Sequence, residues 1–321
     1  DRSPSRGLGD VYKRQQQALD LISRIFLDPH DVVLAEAPSY VGALGTFHQY
    51  EASVVHVETD ENGLVPSALA EAIKTVRAAG RKVKFLYTIP NYQNPSGVLL
   101  PASRRTEILT ICREAGIFVV EDNPYGLLGF DKQSPNAMRA EDSENVIYLG
   151  SFSKTIAPGL RVGWTLVPPS LKEKLVIASE SSILCPSNFT QLTISSYLAD
   201  QPWRDQIASF CELYKVRRDA MLESLDEHFP VTAQWTKPGG GFYVWVTLPP
   251  EIDTTAMMPK AIVAKVAYVP GTAFYADGFG SWSLRLSYCY PTPERIREGV
   301  KALGGVIKQE MASRKGFELK G

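Results

Sequence analysis

The sequence is short of the features that mark several protein classes. Its 321 residues carry 34 Lys and Arg against 35 Asp and Glu. Neither sign of charge is in excess to hold nucleic acid or an anionic membrane. No apolar run approaches the roughly 18 residues that a bilayer span requires, and no signal peptide is read at the start. The four cysteines, Cys112, Cys185, Cys211 and Cys289, are scattered without C-x-x-C spacing, which argues against disulfides and structural zinc. His30, His48, His56 and His228 show no ligand spacing either, so no metal site is expected. A reducing, cytoplasmic setting is the default expectation. What the chain does have is a 44% share of hydrophobic residues, enough for one large domain and a smaller one.

The opening stretch, 1–14, is rich in Ser, Gly and Arg and has no apolar periodicity, so it reads as a non-native leader or a disordered arm. From Gln15 onward the chain is orderly. Ala18, Leu19, Ile22, Ile25 and Phe26 recur at helical spacing up to Asp28-Pro29. Short apolar strands at 32–35, 53–57, 83–88, 117–121 and 146–149 then alternate with helices at about 41–50, 64–79 and 101–115. This alternation predicts an α/β fold whose mostly parallel sheet is sandwiched by helices. Ligands of such sheets sit at the carboxyl ends of the strands. Beyond Val167 the pattern changes to helices at 171–181, 188–199 and 203–229, strands near 242–248, 267–269 and 284–288, and a last helix from Thr292 to Met311. The expected division is a large domain over 15–205 and a smaller C-terminal α+β domain over 206–321.

Chemistry-bearing residues fall at the predicted strand ends. After Val146-Ile147-Tyr148-Leu149 comes Gly150-Ser151-Phe152-Ser153-Lys154, with Arg161 seven residues beyond the lysine; Gly150, Pro158, Gly159 and Gly163 read as breaks in regular structure, which places the lysine on a loop. Small hydroxyls and loop N–H groups hold phosphate oxygens, and arginine grips the same group with two donors. A lysine beside a bound phosphate ester, in a partly desolvated site, can form a Schiff base with a carbonyl. Alone, S-x-S-K also suits a surface loop. Asn94, in Asn91-Tyr92-Gln93-Asn94-Pro95-Ser96-Gly97, lies in a turn after one strand, with Pro95 and Gly97 read as shape residues. Asp122 ends another strand, where a carboxylate also suits a turn cap. Its neighbour Glu121 faces the opposite side, so only one of the pair can serve a given site. Tyr40 follows the first strand and also suits plain packing. Arg285 interrupts an apolar strand, Ser283-Leu284-Arg285-Leu286-Ser287, and a charge buried there needs a partner, either a ligand or a salt bridge.

Taken together, these motifs resemble the fold-type I aminotransferases that use pyridoxal 5'-phosphate, especially the aminoadipate and kynurenine branch. The resemblance runs from about Gln16 to the last helix. It implies that Lys154 carries the cofactor, that Asp122 pairs with its protonated pyridine nitrogen, and that Asn94 and Tyr125 bond its phenolic oxygen. It further implies that Tyr40 stacks on the ring, that Ser151, Ser153 and Arg161 anchor the phosphate, and that Arg285 forks onto the substrate α-carboxylate. The family's opening Gly-Ser-Gln-Gln is matched here by Arg14-Gln15-Gln16-Gln17, so Gln15 and Gln16 are left to offer phosphate-binding N–H groups. An upstream segment that covers the substrate and reaches a neighbour's phosphate has no counterpart, and a homodimer with the site at the interface is implied. An amino acid and a 2-oxo acid, such as 2-oxoglutarate, would be the substrates. Two rivals share the fold: a sensor domain of a winged-helix transcription regulator, and a lyase or decarboxylase.

Overall fold

A computed structural model describes residues 10–12 and 15–318, with side chains over 16–313. The first part of the chain runs β1 (Asp10–Tyr12), α1 (Gln15–Phe26), β2 (Val32–Glu36), α2 (Val41–Gln49), β3 (Ser53–Val57), β4 (Thr59–Asp60), β5 (Gly63–Leu64), α3 (Pro66–Ala78) and β6 (Val83–Thr88). It continues through α4 (Ala102–Glu114), β7 (Phe118–Asp122), α5 (Met138–Glu141), β8 (Val146–Ser151) and β9 (Gly163–Leu166). Three helices follow: α6 (Pro169–Ile183), α7 (Asn188–Asp200) and α8 (Trp203–His228). The chain then adds β10 (Gln234–Trp235), β11 (Tyr243–Thr247), α9 (Thr254–Val263), β12 (Val269–Pro270), β13 (Ser283–Ser287) and α10 (Pro293–Glu318).

The large sheet has the order β1-β9-β8-β7-β6-β2-β3. Strands β3, β2, β6, β7 and β8 are parallel, while β9 pairs antiparallel with β8 and β1 antiparallel with β9. Alternation along each strand sorts residues to two faces. Val33, Ala35, Phe85, Tyr87, Val120 and Ile147 join a core with α1, α2 and the start of α8. Val32, Leu34, Leu86, Val119 and Val146 join another with α3 and α4. Both faces are therefore covered, as the near-continuous apolar strands require.

The second sheet, β10-β11-β13-β12, is antiparallel throughout. Val244, Val246, Leu284 and Leu286 face a core shared with the end of α8, α9 and α10. Helix α8 joins the two cores, giving Ile207 and Cys211 to the first and Ala220, Met221 and Leu225 to the second.

Three details differ from the sequence reading. Within the stretch 1–14, Asp10–Tyr12 forms a strand, because the open edge of β9 offers unpaired backbone groups; residues 1–9, 13 and 14 lie outside the described residues. Strand β9 and the four-residue helix α5 had not been read, the first masked by its glycines and the second too short for a helical period. Gly150 is not a strand breaker: it lies inside β8, paired with Trp164. A Cβ there would run into the Trp164 indole ring, so glycine is required by close approach. Gly97, by contrast, is a shape residue as read, with φ +71° and an added Cβ 2.7 Å from the Tyr243 carbonyl. Gly150→Ala should cost about 1–3 kcal/mol through overpacking. Chemical denaturation would check this, and an unchanged midpoint would refute it.

Candidate active site

A cavity of about 260 Å³ opens at the carboxyl ends of the parallel strands. Seven of the residues singled out in the sequence line it: Gln16, Tyr40, Asn94, Asp122, Tyr125, Lys154 and Arg285. They arrive on several separate pieces of scaffold. Tyr40 sits between β2 and α2, Asn94 in the loop after β6, Asp122 at the end of β7, Lys154 in the turn after β8, and Arg285 on β13 of the second sheet.

Strand alternation decides between the adjacent carboxylates. Asp122 falls on the face shared with Tyr87, and the Tyr87 hydroxyl donates to Asp122 Oδ2 at 2.6 Å. Glu121 faces the other side and accepts from the Met138 and Arg139 N–H groups at 3.1 and 3.0 Å, capping α5. Asp122 is 2% exposed, and its Oδ1 has no hydrogen-bond partner among the described residues. Burial pushes its pKa up to about 7, with Glu36 and Glu121 adding repulsion and the Tyr87 bond opposing.

Arg285 points away from the core of its own sheet because its neighbours Leu284 and Leu286 point into it. Its Nη1 donates to Asn94 Oδ1 at 2.7 Å, across 191 positions of sequence. The Tyr243 ring lies 4.1 Å from the guanidinium carbon and the Phe274 ring 5.0 Å. Among the described residues the guanidinium meets no carboxylate, and its Nε is unpartnered. Lys154 is half-buried, with Nζ 5.9 Å from the centre of the Phe242 ring. Burial holds its pKa below the ordinary lysine value, and the Arg161 and Arg285 cations push the same way, against Cys289. Tyr125 is buried, and that burial lifts its pKa well above the usual phenol value.

The expected phosphate anchors are placed less simply. Ser151, Ser153 and Arg161 do not line this cavity. Ser151 Oγ accepts from the Ser153 N–H at 3.1 Å, and Ser151 borders a neighbouring cavity of about 970 Å³. Arg161 stands in the left-handed region at φ 56°, a backbone state that concentrates at ligand sites, and its Nη1 donates to the Pro158 carbonyl at 2.6 Å. Gln15 and Gln16 begin α1, where backbone N–H groups lack helical partners. The Gln16 side chain is engaged elsewhere, donating to Gly42 O at 2.8 Å and Thr46 Oγ1 at 2.6 Å. Sequence reasoning missed Tyr87 and Tyr243, whose strands read as ordinary core.

Residues 15–303 match the family described as aminotransferase class I and II. The chain belongs to that family. It is 44% identical over 297 residues to aromatic-amino-acid aminotransferase 1 of Thermococcus litoralis, covering 92% of this chain and 71% of the relative. It superposes on a kynurenine aminotransferase of Pyrococcus horikoshii, solved with PMP, with a TM-score of 0.91 and 41% identity, over 95% of this chain and 77% of that one. An HTH-type transcriptional regulator of Bacillus subtilis, YisV, is more distant at 31% identity over 298 residues, 92% of this chain and 60% of the relative. The higher identities lie with the enzymes, and the chain is a pyridoxal-phosphate aminotransferase of the aminoadipate and kynurenine type.

The residues present fit that cofactor. The unpartnered Oδ1 of a nearly water-free carboxylate suits a cationic N–H such as a pyridinium, since burying it without one is costly. In the cofactor-free protein, a carboxyl with a raised pKa binds its proton more tightly folded than unfolded. Stability then falls as pH rises from the ordinary carboxyl value of 3.8 toward about 7. Asp122→Asn, which resembles the protonated form, should match the parent near pH 4. At pH 8 it should exceed the parent by on the order of 2–4 kcal/mol, each pKa unit being worth about 1.4 kcal/mol. Denaturant titrations at both pH values would show it, and equal stabilities at pH 8 would refute it.

Proposed function

We propose that this chain moves the amino group of an L-amino acid to a 2-oxo acid, with 2-oxoglutarate as acceptor, in the cavity at the strand ends. Bound there, pyridoxal phosphate supplies an aldehyde that takes the amino group and a ring that draws electrons from the substrate Cα. Asp122 Oδ1 keeps the pyridine nitrogen protonated. Lys154 Nζ would hold the cofactor between turnovers and, once freed, would take the proton from the substrate Cα and return one. Its lowered pKa suits that task, because the free amine rather than the ammonium must accept the proton.

Arg285 receives the α-carboxylate, and Asn94 keeps the guanidinium in place from the opposite wall. With the cofactor bound, Tyr125 and Asn94 would serve its phenolic oxygen and Tyr40 its ring. Ser151, Ser153 and Arg161, which stand beside the cavity, would hold the phosphate together with the backbone N–H groups of Gln15 and Gln16. The working unit in this reading is a cytoplasmic homodimer whose subunits divide into 15–205 and 206–321. Among the described residues no helix is long and apolar enough to cross a membrane.

The observation that carries the proposal is the convergence of Asp122, Lys154, Asn94 and Arg285 on one cavity from four separate segments. Borohydride reduction of the protein mixed with pyridoxal phosphate should leave a stable adduct on the Lys154 peptide, lost in Lys154→Ala. Turnover should yield glutamate from 2-oxoglutarate rather than free ammonia or carbon dioxide, which separates transfer from elimination and decarboxylation. Arg285→Lys, which loses the two-pronged contact, should lower kcat/KM for the amino donor by about 10- to 100-fold. An adduct at another lysine, or ammonia as the main product, would overturn the reading.

A further inference from the structure

We propose that Tyr87 is a positioning residue: its hydroxyl fixes the rotation of the Asp122 carboxylate so that Oδ2 is occupied and Oδ1 is presented to the cavity. The inference rests on reading that cavity as the cofactor site.

The observations are geometric. Tyr87 is fully buried at 0% exposure, in β6, and Asp122 closes the adjacent parallel strand β7 on the same face. Phe47 packs edge-on against the Tyr87 ring, with centroids 5.6 Å apart, so the phenol has little freedom to leave. The 2.6 Å bond to Oδ2 has the length of a strong O–H···O⁻ contact. Without it, nothing among the described residues would distinguish the two carboxylate oxygens, since Oδ1 has no partner. A carboxylate free to turn would spend part of its time with neither lone pair aimed at a ring nitrogen, and misaim of that kind is costly in a preorganised site.

The same bond bears on the charge of Asp122. The titratable groups around it are Glu36 on β2, Glu121 on its own strand, and the phenols of Tyr40, Tyr87, Tyr125 and Tyr148. Burial and the two glutamates oppose ionisation of Asp122, while donation from Tyr87 favours it. Tyr87 therefore both aims the carboxylate and helps keep it an anion. The phenol cannot readily give up its own proton, because burial and the Asp122 charge raise its pKa far above the normal value.

Tyr87→Phe deletes only the hydroxyl. Two readouts that do not depend on turnover test the inference, the second of them in both the parent and the Asp122→Asn background. The first is the titration of the Asp122 carboxyl in cofactor-free protein by ¹³C NMR, with its signal assigned by its loss in Asp122→Asn. The second is the equilibrium dissociation constant for pyridoxal phosphate. The expected result is an upward move of the Asp122 midpoint and about tenfold weaker cofactor binding in Tyr87→Phe, with no further weakening when Asp122 is already Asn. An unmoved Asp122 midpoint would overturn the proposal, and so would an equal loss of affinity in both backgrounds, which marks a merely structural role. If the parent protein binds no pyridoxal phosphate, the cofactor reading fails, and the Asp122 titration alone then decides the role of Tyr87.

Discussion

A carboxylate placed where water cannot reach it is the constraint on which this site depends. Asp122 ends a strand in which Val120, two residues back on the same face, is fully buried, and the strand sits in the middle of a sheet covered on both faces. In water such a group would be an indifferent anion. Here its charged form is penalised until a cation approaches Oδ1, so the protein holds a site whose electrostatic requirement is unmet by its own residues. Stability is given up at this point, and a ligand with a protonated ring nitrogen returns it. The apolar packing of Phe47, Phe85 and Tyr87 beneath the site makes that exchange possible, because it keeps water out and the sheet rigid.

Loops have to be held as firmly as the sheet, and here buried polar groups do that work. Arg105, itself fully buried, donates to the carbonyls of Pro90, Leu100 and Asn136 and to Asn91 Oδ1, which ties down both ends of the loop that bears Asn94. Asn91 in turn donates to Asn123 at 2.9 Å, linking that loop to the turn between Asp122 and Tyr125. On the other side Glu36 accepts from Thr88, the Ile89 N–H and Gln93. Satisfied networks of this kind rigidify, since breaking one bond leaves a buried group unpaired. The position of Asn94 relative to Asp122 is thus set by hydrogen bonds between loops, and not by the strands alone.

This division explains what the sequence disclosed. Apolar strands alternating with helices were legible because both sheet faces are buried, so β2, β3, β6, β7 and β8 appear as near-continuous hydrophobic runs. Asp122 and Glu121 could be separated in principle by alternation, but which face held the cavity became visible only in the fold. Arg285 was legible because a charge in an apolar strand must find a partner; that Asn94 would meet it from 191 positions away was not. Tyr87 escaped notice because a phenol in a strand looks like core until its hydroxyl partner is known. Gly150 misled for a related reason: a glycine in sequence signals a break, whereas here it makes room for Trp164. Short elements such as β9 and α5 left no periodic trace.

Charge balance inside the cavity carries the argument one step further. Two basic side chains, Lys154 and Arg285, and one acidic side chain, Asp122, line its walls. None of the three forms an ion pair with another charged side chain among the described residues, so each is left to a ligand. A molecule with one protonated ring nitrogen and anionic groups, joined to a second molecule bearing a carboxylate, answers all three at once. The pattern of unpaired charge therefore suits two ligands held together, a cationic ring on Asp122 and a carboxylate on Arg285, which is the condition for group transfer between them.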